Sequence, residues 1–571
     1  MIFGDFKYQK SVKKLTATNL NELKNALDFI SQNRGKGYFV GYLLYEARLA
    51  FLDENFQSQT PFLYFEQFLE RKKYPLEPLK EHAFYPKIHS PLDQKTYFKQ
   101  FKAVKEHLKN GDTYQVNLTM DLLLNTKAKP KRVFKEVVHN QNTPFKAFIE
   151  NEFGSVLSFS PELFFELEFL DTAIKIITKP MKGTIARSNN PLTDEKNRLF
   201  LQNDDKNRSE NVMIVDLLRN DLSRLALKNS VKVNQLFEII SLPSVYQMIS
   251  EVEAQLPLKT SLFEIFKALF PCGSVTGCPK IKTMQIIEEL EKRPRGVYCG
   301  AIGMVGEKKA LFSVPIRTLE KRAHEDFLHL GVGSGVTYKS KASKEYEESF
   351  LKSFFVMPKI EFEIVETMRV IKRDQKLEIN NKNAHKERLI NSAQYFNFKY
   401  DDNLLDFELE KEGVLRVLLN KKGKLIKEYR TLEPLKSLEI RLSETPIDKH
   451  NDFLYHKTTY APFYQKARAL IKKGVMFDEI FYNQDLELTE GARSNLILEI
   501  HNRLLTPYFS AGALNGTGVV GLLKKGLVEH APLKLQDLQR AAKIYCINAL
   551  YGLVEVGIIG YPMEQKVKTH P

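Results

Sequence analysis

The sequence predicts an α/β chain of the α+β kind, folded as two domains. Three features predict it. At 571 residues the chain is long enough to bury two or three separate cores. Apolar, β-branched runs bounded by Gly, Pro and Asn are interleaved with stretches whose apolar residues recur at helical spacing. After Phe354-Phe-Val-Met-Pro358 the pattern changes, strand-rich at first and then mixed, with no long Gly/Ser or Pro-rich linker. The expected domains are 1–357 and 358–571, closely tied.

Composition narrows the function. The 43% apolar and 27% charged content is that of an ordinary globular protein. With 85 Lys and Arg against 70 Asp and Glu the formal charge is +15, which suits anionic partners. The lysines are scattered, and no basic-aromatic patch, zinc spacing or helix-turn-helix signal points to nucleic acid. Cys272, Cys278, Cys299 and Cys546 form no CxxC pair, and the first residues form no signal peptide. No run approaches the roughly 18 apolar residues that a bilayer requires. A soluble protein of the reducing cytoplasm is expected.

Along the first domain, helices are expected over about Asn19–Asn33 and Asp93–Asn110, the second ending at Gly111. Strands are expected at Gly37–Leu44 and Asp112–Thr119, and a loop at Pro86–Pro91. Tyr45-Glu-Ala-Arg48 either serves the structure or lines a pocket. Ser155–Glu162 reads as a strand and turn with Glu162 at its end. The run Ala173–Thr178 leads into Pro180, so a strand is expected to stop at a turn opened by Gly183. Lys182 would stand at the mouth of a site, where desolvation lowers an amine's pKa and makes it a nucleophile.

Further on, Ile214, Leu217, Leu218 and Leu222 share a helical face, with Glu210 at the helix start. There it would cap the helix or bind a hard cation. Phe270–Lys280 is a glycine-bearing turn into a helix whose Ile281, Met284 and Ile287 face inward, its free N–H groups offering an anion site. Gly331-Val-Gly-Ser-Gly335 lets backbone approach a ligand, and Glu345, Glu348 and Lys352 lie on one helical face. Arg317 ends a strand and suits bidentate grip of a carboxylate.

Five blocks follow one another in order: Lys-Pro-Met-Lys-Gly-Thr, Glu-Asn-x-Met-Ile-Val-Asp-Leu-x-Arg-Asn-Asp-Leu, Gly-Ser-Val-Thr-Gly-x-Pro-Lys, Arg-x-x-Tyr-Cys-Gly-Ala-Ile-Gly and Glu-Tyr-x-Glu-x-x-x-Lys. From about residue 90 to 355 the chain thereby resembles the chorismate-utilising enzymes. The resemblance implies large antiparallel sheets around a cleft that binds chorismate with Mg²⁺. It implies Glu210 and Glu348 as metal ligands with Glu345 nearby, and Tyr298 and Arg317 on the enolpyruvyl carboxylate. Thr276, Gly277, Gly333 and Gly335 would line the ring-carboxylate side, with Lys352 adding charge.

Lys182 stands where anthranilate synthases, which the chain also resembles, carry alanine. The lysine form is similar to the aminodeoxychorismate synthase component I branch. That branch implies attack by Lys182 on C2 of chorismate, Glu162 as general acid/base, and ammonia from a separate glutamine amidotransferase subunit. A rival is an anthranilate or isochorismate synthase with a degenerate second domain. Gln247 and Asn207 depart from the family, which usually shows histidine and an acid there.

In the second domain, Glu361–Val370 reads as a strand and His385–Ala393 as a helix. Lys457 stands near the end of an apolar run, Glu490 in Leu488–Leu496, and Leu514-Asn-Gly-Thr-Gly518 is a turn into a helix. A lysine, a buried-looking glutamate and a glycine turn are what a pyridoxal phosphate site needs. Together, over about 361–555, they resemble the branched-chain-aminotransferase-like (fold type IV) enzymes, the 4-amino-4-deoxychorismate lyases most of all. That resemblance implies Lys457 as cofactor carrier and base, Glu490 facing the ring nitrogen, and Arg388, Thr517 and Gly518 around the phosphate. Ala461 and Val519 stand where such enzymes often have arginine, and opening strands are missing before Glu361.

Overall fold

The computed structural model describes residues 1–188, 190–241 and 245–560. The predicted end of the second domain, 561–571, lies outside the described residues. Two compact units are formed: Met1–Pro78, Ile88–Asn125 and Phe134–Met357 make one, and Leu79–Lys87, Thr126–Val133 and Pro358 onward make the other. Among the described residues no helix is long and apolar enough to cross a membrane.

The first unit is built on antiparallel strands, as expected. Phe6–Ala17, Leu63–Lys73, Tyr38–Leu43, Ala301–Val305, Lys309–Ser313, Leu163–Phe169, Ile174–Thr178 and Val245–Leu256 pair in that spatial order. A second ladder joins Gln115–Asn125 to Leu328–Val336, placing Thr119 opposite Gly333 and Asn117 opposite Gly335. Both strands are buried on the two faces over most of their length. Phe164, Phe165, Phe266, Phe270 and Phe312 pack ring on ring, centroids 4.9 to 6.4 Å apart, between sheet and the helix Leu262–Leu269.

Local signals place the helices well. Asn19 caps Leu20–Asn33, and Asp93 caps Gln94–Lys109 by accepting from the Thr96 N–H. Gly111 follows the latter at φ +78°. Three expectations need correction. The stretch Pro86–Pro91 contains a short strand, Lys87–His89. Glu210 does not start its helix: Asp205–Ser223 is capped by Asp204, and Glu210 lies more than a turn inside. Ile281 is 58% exposed while Met284 and Ile287 are buried. Residues six apart drift about 120° around a helix, so all three cannot share a face.

The second unit holds two sheets. In the first, Lys376–Ile379, Ile364–Arg373, Gly413–Leu419 and Leu425–Arg430 pair antiparallel beside the helix Lys382–Phe396. The second is eight-stranded and mixed, with Glu439–Leu442 parallel to Asp478–Tyr482 and to Gly552–Ile558. Segments from far upstream, Leu79–Lys87 and Thr126–Val133, belong to this unit without adding a strand to its sheets. The buried Asp452 carboxylate accepts from the Tyr85 N–H at 2.9 Å, the Thr126 hydroxyl at 2.7 Å and the Lys127 N–H at 2.8 Å. The Tyr85 ring packs edge-on against Phe362, Phe396 and Phe453.

Candidate functional site

Lys182 lies on the strand Met181–Ala186, which pairs with Val245–Leu256. The strand before it does stop at Thr178, but pairing resumes at Met181, so Gly183 makes a bulge rather than a turn. The register slips between Met181 and Thr184, with Gly183 at φ +85°. Such a bulge re-aims a side chain. A Cβ at Gly335 would sit 3.7 Å from the Lys182 amine and 3.0 Å from the Gln115 amide nitrogen. Glycine therefore leaves room where the two side chains converge. Burial lowers the pKa of Lys182, Glu210 and Glu162 oppose that shift, and Lys352 adds to it.

Glu162 sits at its strand end, as expected, and is only 4% exposed. Its Oε1 has no partner. Burial pushes its pKa up to about 6, against the Ser274 hydroxyl and the charge of Lys182. Burial also raises Glu210; Lys182 and Lys206 oppose this, and the charges of Glu345 and Glu348 add to it. Lys352 donates to the Gly333 carbonyl and pairs with Glu348, both at 2.8 Å. Among the described residues no His, Cys, Asp or Glu trio stands in a ready-made metal arrangement.

Arg317 and Tyr298 stand on the adjoining walls. Arg317 adopts φ +50°, and burial alone lowers its pKa, with no carboxylate among the described residues acting on it. The Tyr298 ring rests on Gly331, where a Cβ would come within 2.2 Å of it. Thr276 turns its hydroxyl inward to the Cys272 carbonyl at 3.1 Å, and Gly277 beside it takes φ +149°. This turn is braced by Arg295, which donates to the carbonyls of Val275 and Asn117 at 2.9 and 2.8 Å while paired with Glu291 at 2.7 Å. Tyr45 belongs to that brace, under the guanidinium groups of Arg48 and Arg295.

In the second unit Lys457 opens into a cavity of about 430 Å³, together with Arg388, Glu490, Thr517 and Gly518. Its backbone is tied to Ile364–Arg373, where the Val365 N–H donates to the Lys457 carbonyl at 2.9 Å. Burial lowers the Lys457 pKa to about 8; Glu366 opposes, and Arg388, Arg468 and Arg416 push further down. Glu490, 5% exposed, accepts from the Tyr464 hydroxyl at 3.0 Å and the Asn495 amide at 3.1 Å. Burial raises its pKa to about 8. Arg388 grips Glu366 with two bonds of 2.7 Å and donates to the Asn515 carbonyl at 3.1 Å. Thr517 opens the helix Thr517–Lys524 behind Gly516, whose Cβ would overlap the Asn495 side chain at 1.8 Å.

Residues 3–358 match the family model described as chorismate binding enzyme. The chain belongs to that family. Residues 363–559 match the class IV amino-transferase model, a fold that implies pyridoxal phosphate. The chorismate-binding half is similar to aminodeoxychorismate synthase component 1 of Escherichia coli K12, 37% identical over 273 residues, 48% of this chain and 59% of that protein. For the same-named protein of Bacillus subtilis the values are 33% over 280 residues, 49% and 58%. Anthranilate synthase component 1 1 of Haloarcula marismortui is 34% identical over 264 residues, 46% and 53%. The chain thus spans little more than half the length of the curated relatives it matches. In fold it is similar to anthranilate synthase component I from Streptococcus pneumoniae, with TM-score 0.54, 20% identity, and coverage of 62% of this chain and 92% of that one.

The chorismate-binding half also holds polar groups that pattern reading passed over. Gln115 is fully buried with neither amide atom bonded, and the Ser334 hydroxyl, between Gly333 and Gly335, is likewise without a partner. Gln247, one of the two family departures picked out in the sequence, faces Thr184 across the ladder and reaches its hydroxyl at 3.4 Å. In the aminotransferase-class half the missed residues are His385, Tyr464 and Asn495. Val519 packs into a small apolar core with Ile497, Val528 and Ile547, where a guanidinium would have no counter-charge.

Proposed function

We propose that the chain makes p-aminobenzoate from chorismate in two steps, one in each half. The observation that carries the reading is the desolvated Lys182 amine facing the charge of the buried Glu162, whose own pKa burial raises to about 6. Lys182 bonds to C2 of chorismate as the C4–O bond breaks, and Glu162 supplies the proton with which the hydroxyl leaves as water. Ammonia then adds at C4 and Lys182 is released, giving 4-amino-4-deoxychorismate. Arg317 and Tyr298 hold the enolpyruvyl carboxylate; Thr276, Gly277, Gly333 and Gly335 line the ring-carboxylate side; Lys352 adds charge. Gln115 keeps an amide in front of the reacting carbons.

Mg²⁺ suits the oxygen donors Glu210, Glu348 and Glu345: Glu345 is buried, Glu210 half-buried and Glu348 exposed, and a hard cation would neutralise the charge that Glu345 and Glu348 bring to bear on Glu210. Bound there, it would supply positive charge to the ring carboxylate. Pyridoxal phosphate suits the second cavity. Lys457 would carry it, Glu490 would face its ring nitrogen, and Arg388, Thr517 and Gly518 would surround its phosphate. When bound it withdraws electrons from the carbon bearing the substrate amine. Lys457 takes the proton from that carbon, and the ether bond to the enolpyruvyl group breaks, releasing pyruvate. Ammonia comes from a separate glutamine amidotransferase subunit, in the cytoplasm.

The test is incubation of the full chain with chorismate, Mg²⁺, ammonium and pyridoxal phosphate, with the products separated. Equimolar p-aminobenzoate and pyruvate are expected. Aminodeoxychorismate accumulating alone would overturn the second step. Anthranilate, isochorismate or untouched chorismate would overturn the first. Chelation should stop chorismate consumption yet spare the conversion of supplied aminodeoxychorismate, and adding the amidotransferase should let glutamine replace ammonium.

A further inference from the structure

We propose that His385 takes up one proton when a phosphate group binds at the start of the Thr517–Lys524 helix, turning the Thr517 hydroxyl from an inward to an outward donor. The inference rests on reading the second cavity as a pyridoxal phosphate site.

Three side chains form a buried line. Glu366 is 1% exposed, His385 is fully buried and Thr517 is 5% exposed. The His385 Nδ1 lies 2.7 Å from Glu366 Oε2, and its Nε2 lies 3.3 Å from the Thr517 hydroxyl. Arg388 binds both Glu366 oxygens and holds that carboxyl far below the usual range. An ionised carboxylate only accepts, so Nδ1 carries hydrogen. In a neutral imidazole Nε2 then has only a lone pair, and the Thr517 hydroxyl must donate to it.

A hydroxyl has one hydrogen. A phosphate dianion is an acceptor, so while His385 is neutral and keeps the inner bond, the Thr517 hydroxyl has no hydrogen to offer it, and only the backbone N–H of Thr517 can donate. Protonation of Nε2 reverses the inner bond: Nε2–H donates to the Thr517 oxygen, and the hydroxyl hydrogen is freed for the phosphate. The balance is one proton from solvent to Nε2, with no other bond made or broken.

The surrounding charges set when this happens. Burial opposes the cation; Glu366, on the neighbouring strand, favours it; Arg388, on the same helix, and Lys457, across the cavity, oppose it. The net result keeps His385 below its ordinary pKa, hence neutral, in the empty site. An arriving dianion supplies the negative charge that is lacking.

Pyridoxine 5′-phosphate is the probe, because it has the phosphate but no aldehyde to react with Lys457. Calorimetry of the full chain at pH 7, where Lys457 and Glu490 already hold their protons and His385 does not, should show close to one proton taken up per ligand in buffers of different ionisation enthalpy. Affinity should fall by up to about tenfold per pH unit above neutrality. His385→Gln and Thr517→Val should each abolish the uptake, and unphosphorylated pyridoxine should show none. Binding without uptake by the unaltered chain, or uptake retained in both variants, would overturn the proposal and leave the cofactor reading standing. No binding of either pyridoxine 5′-phosphate or pyridoxal phosphate would overturn both.

Discussion

The two halves each hold a half-buried lysine whose amine desolvation lowers, but the surrounding charge has opposite sign. Around Lys182 the neighbours that matter most are carboxylates, Glu210 and Glu162, which pull the amine back towards its charged form. Around Lys457 one carboxylate, Glu366, is outnumbered by Arg388, Arg468 and Arg416. On the proposed function the difference matches what else each site would hold. Carboxylates suit a hard cation and a leaving hydroxyl that needs a proton. Arginines suit a phosphate and a carboxylated substrate. The residue type alone therefore does not define a catalytic lysine; its neighbours do.

The sharpest break of the comparison is removal of each amine. Lys182→Ala should cut chorismate consumption by on the order of 10⁴ or more, while conversion of supplied aminodeoxychorismate stays within about twofold. Lys457→Ala should do the reverse. Separate assays of the two half-reactions check this, and one variant that silenced both would show that the sites do not work independently.

The pH dependence should differ in sign. Glu162 holds its proton up to about pH 6, so the acid is available below that point and lost above it. Chorismate consumption should decline up to about tenfold per unit above pH 6. Glu162→Gln should remove that limb and lower the rate by about 10²-fold or more. Lys457 is neutral only above about pH 8, so its capture of pyridoxal phosphate should speed up as pH rises towards 8. Stopped-flow absorbance for the second and product chromatography for the first would expose two limbs of the same sign, which would defeat the argument from charge.

Arg317→Ala should act more mildly. It removes a cation that no carboxylate among the described residues compensates, so the chorismate KM should rise about tenfold to a hundredfold with a smaller change in kcat. The aminodeoxychorismate KM of the second half should not move. A fall in kcat alone would mean that Arg317 acts in the reaction rather than in binding.

Much of this was legible because chemistry restricts residue type. Lys182, Glu162, Glu490 and the turn at Gly516-Thr-Gly518 could be singled out by kind and place, and the helix starts expected near Asn19 and Asp93 fall where those residues cap the helices. What escaped was set by tertiary geometry. Gln115 sits in a strand whose neighbours are nearly all buried, so no pattern separates an unpaired amide from a satisfied one. The bulge at Gly183 depends on a register with a strand some sixty residues away. The binding of Asp452 to Tyr85 and Thr126 joins residues more than 300 positions apart, beyond any local signal.

The smallest expected effect tests how finely the second site is built. Glu490 is held at both oxygens, by Tyr464 and by Asn495, and the Tyr464 bond lowers its pKa against burial. Tyr464→Phe removes one hydroxyl and leaves the ring, which packs on Phe481 at 4.9 Å. The carboxyl should then rise further and pair less well with a cationic ring nitrogen. One hydrogen bond to a charged group contributes about 1.5 kcal/mol, which is roughly tenfold in pyridoxal phosphate affinity. Absorbance titration would measure it, and the loss should grow as pH falls below about 8, where Glu490 takes its proton. In the first half the same substitution should change nothing, since Tyr464 belongs to the second unit alone. Equal affinity in the Phe variant would mean that Asn495 suffices to hold the carboxylate and that the Tyr464 ring is there for packing.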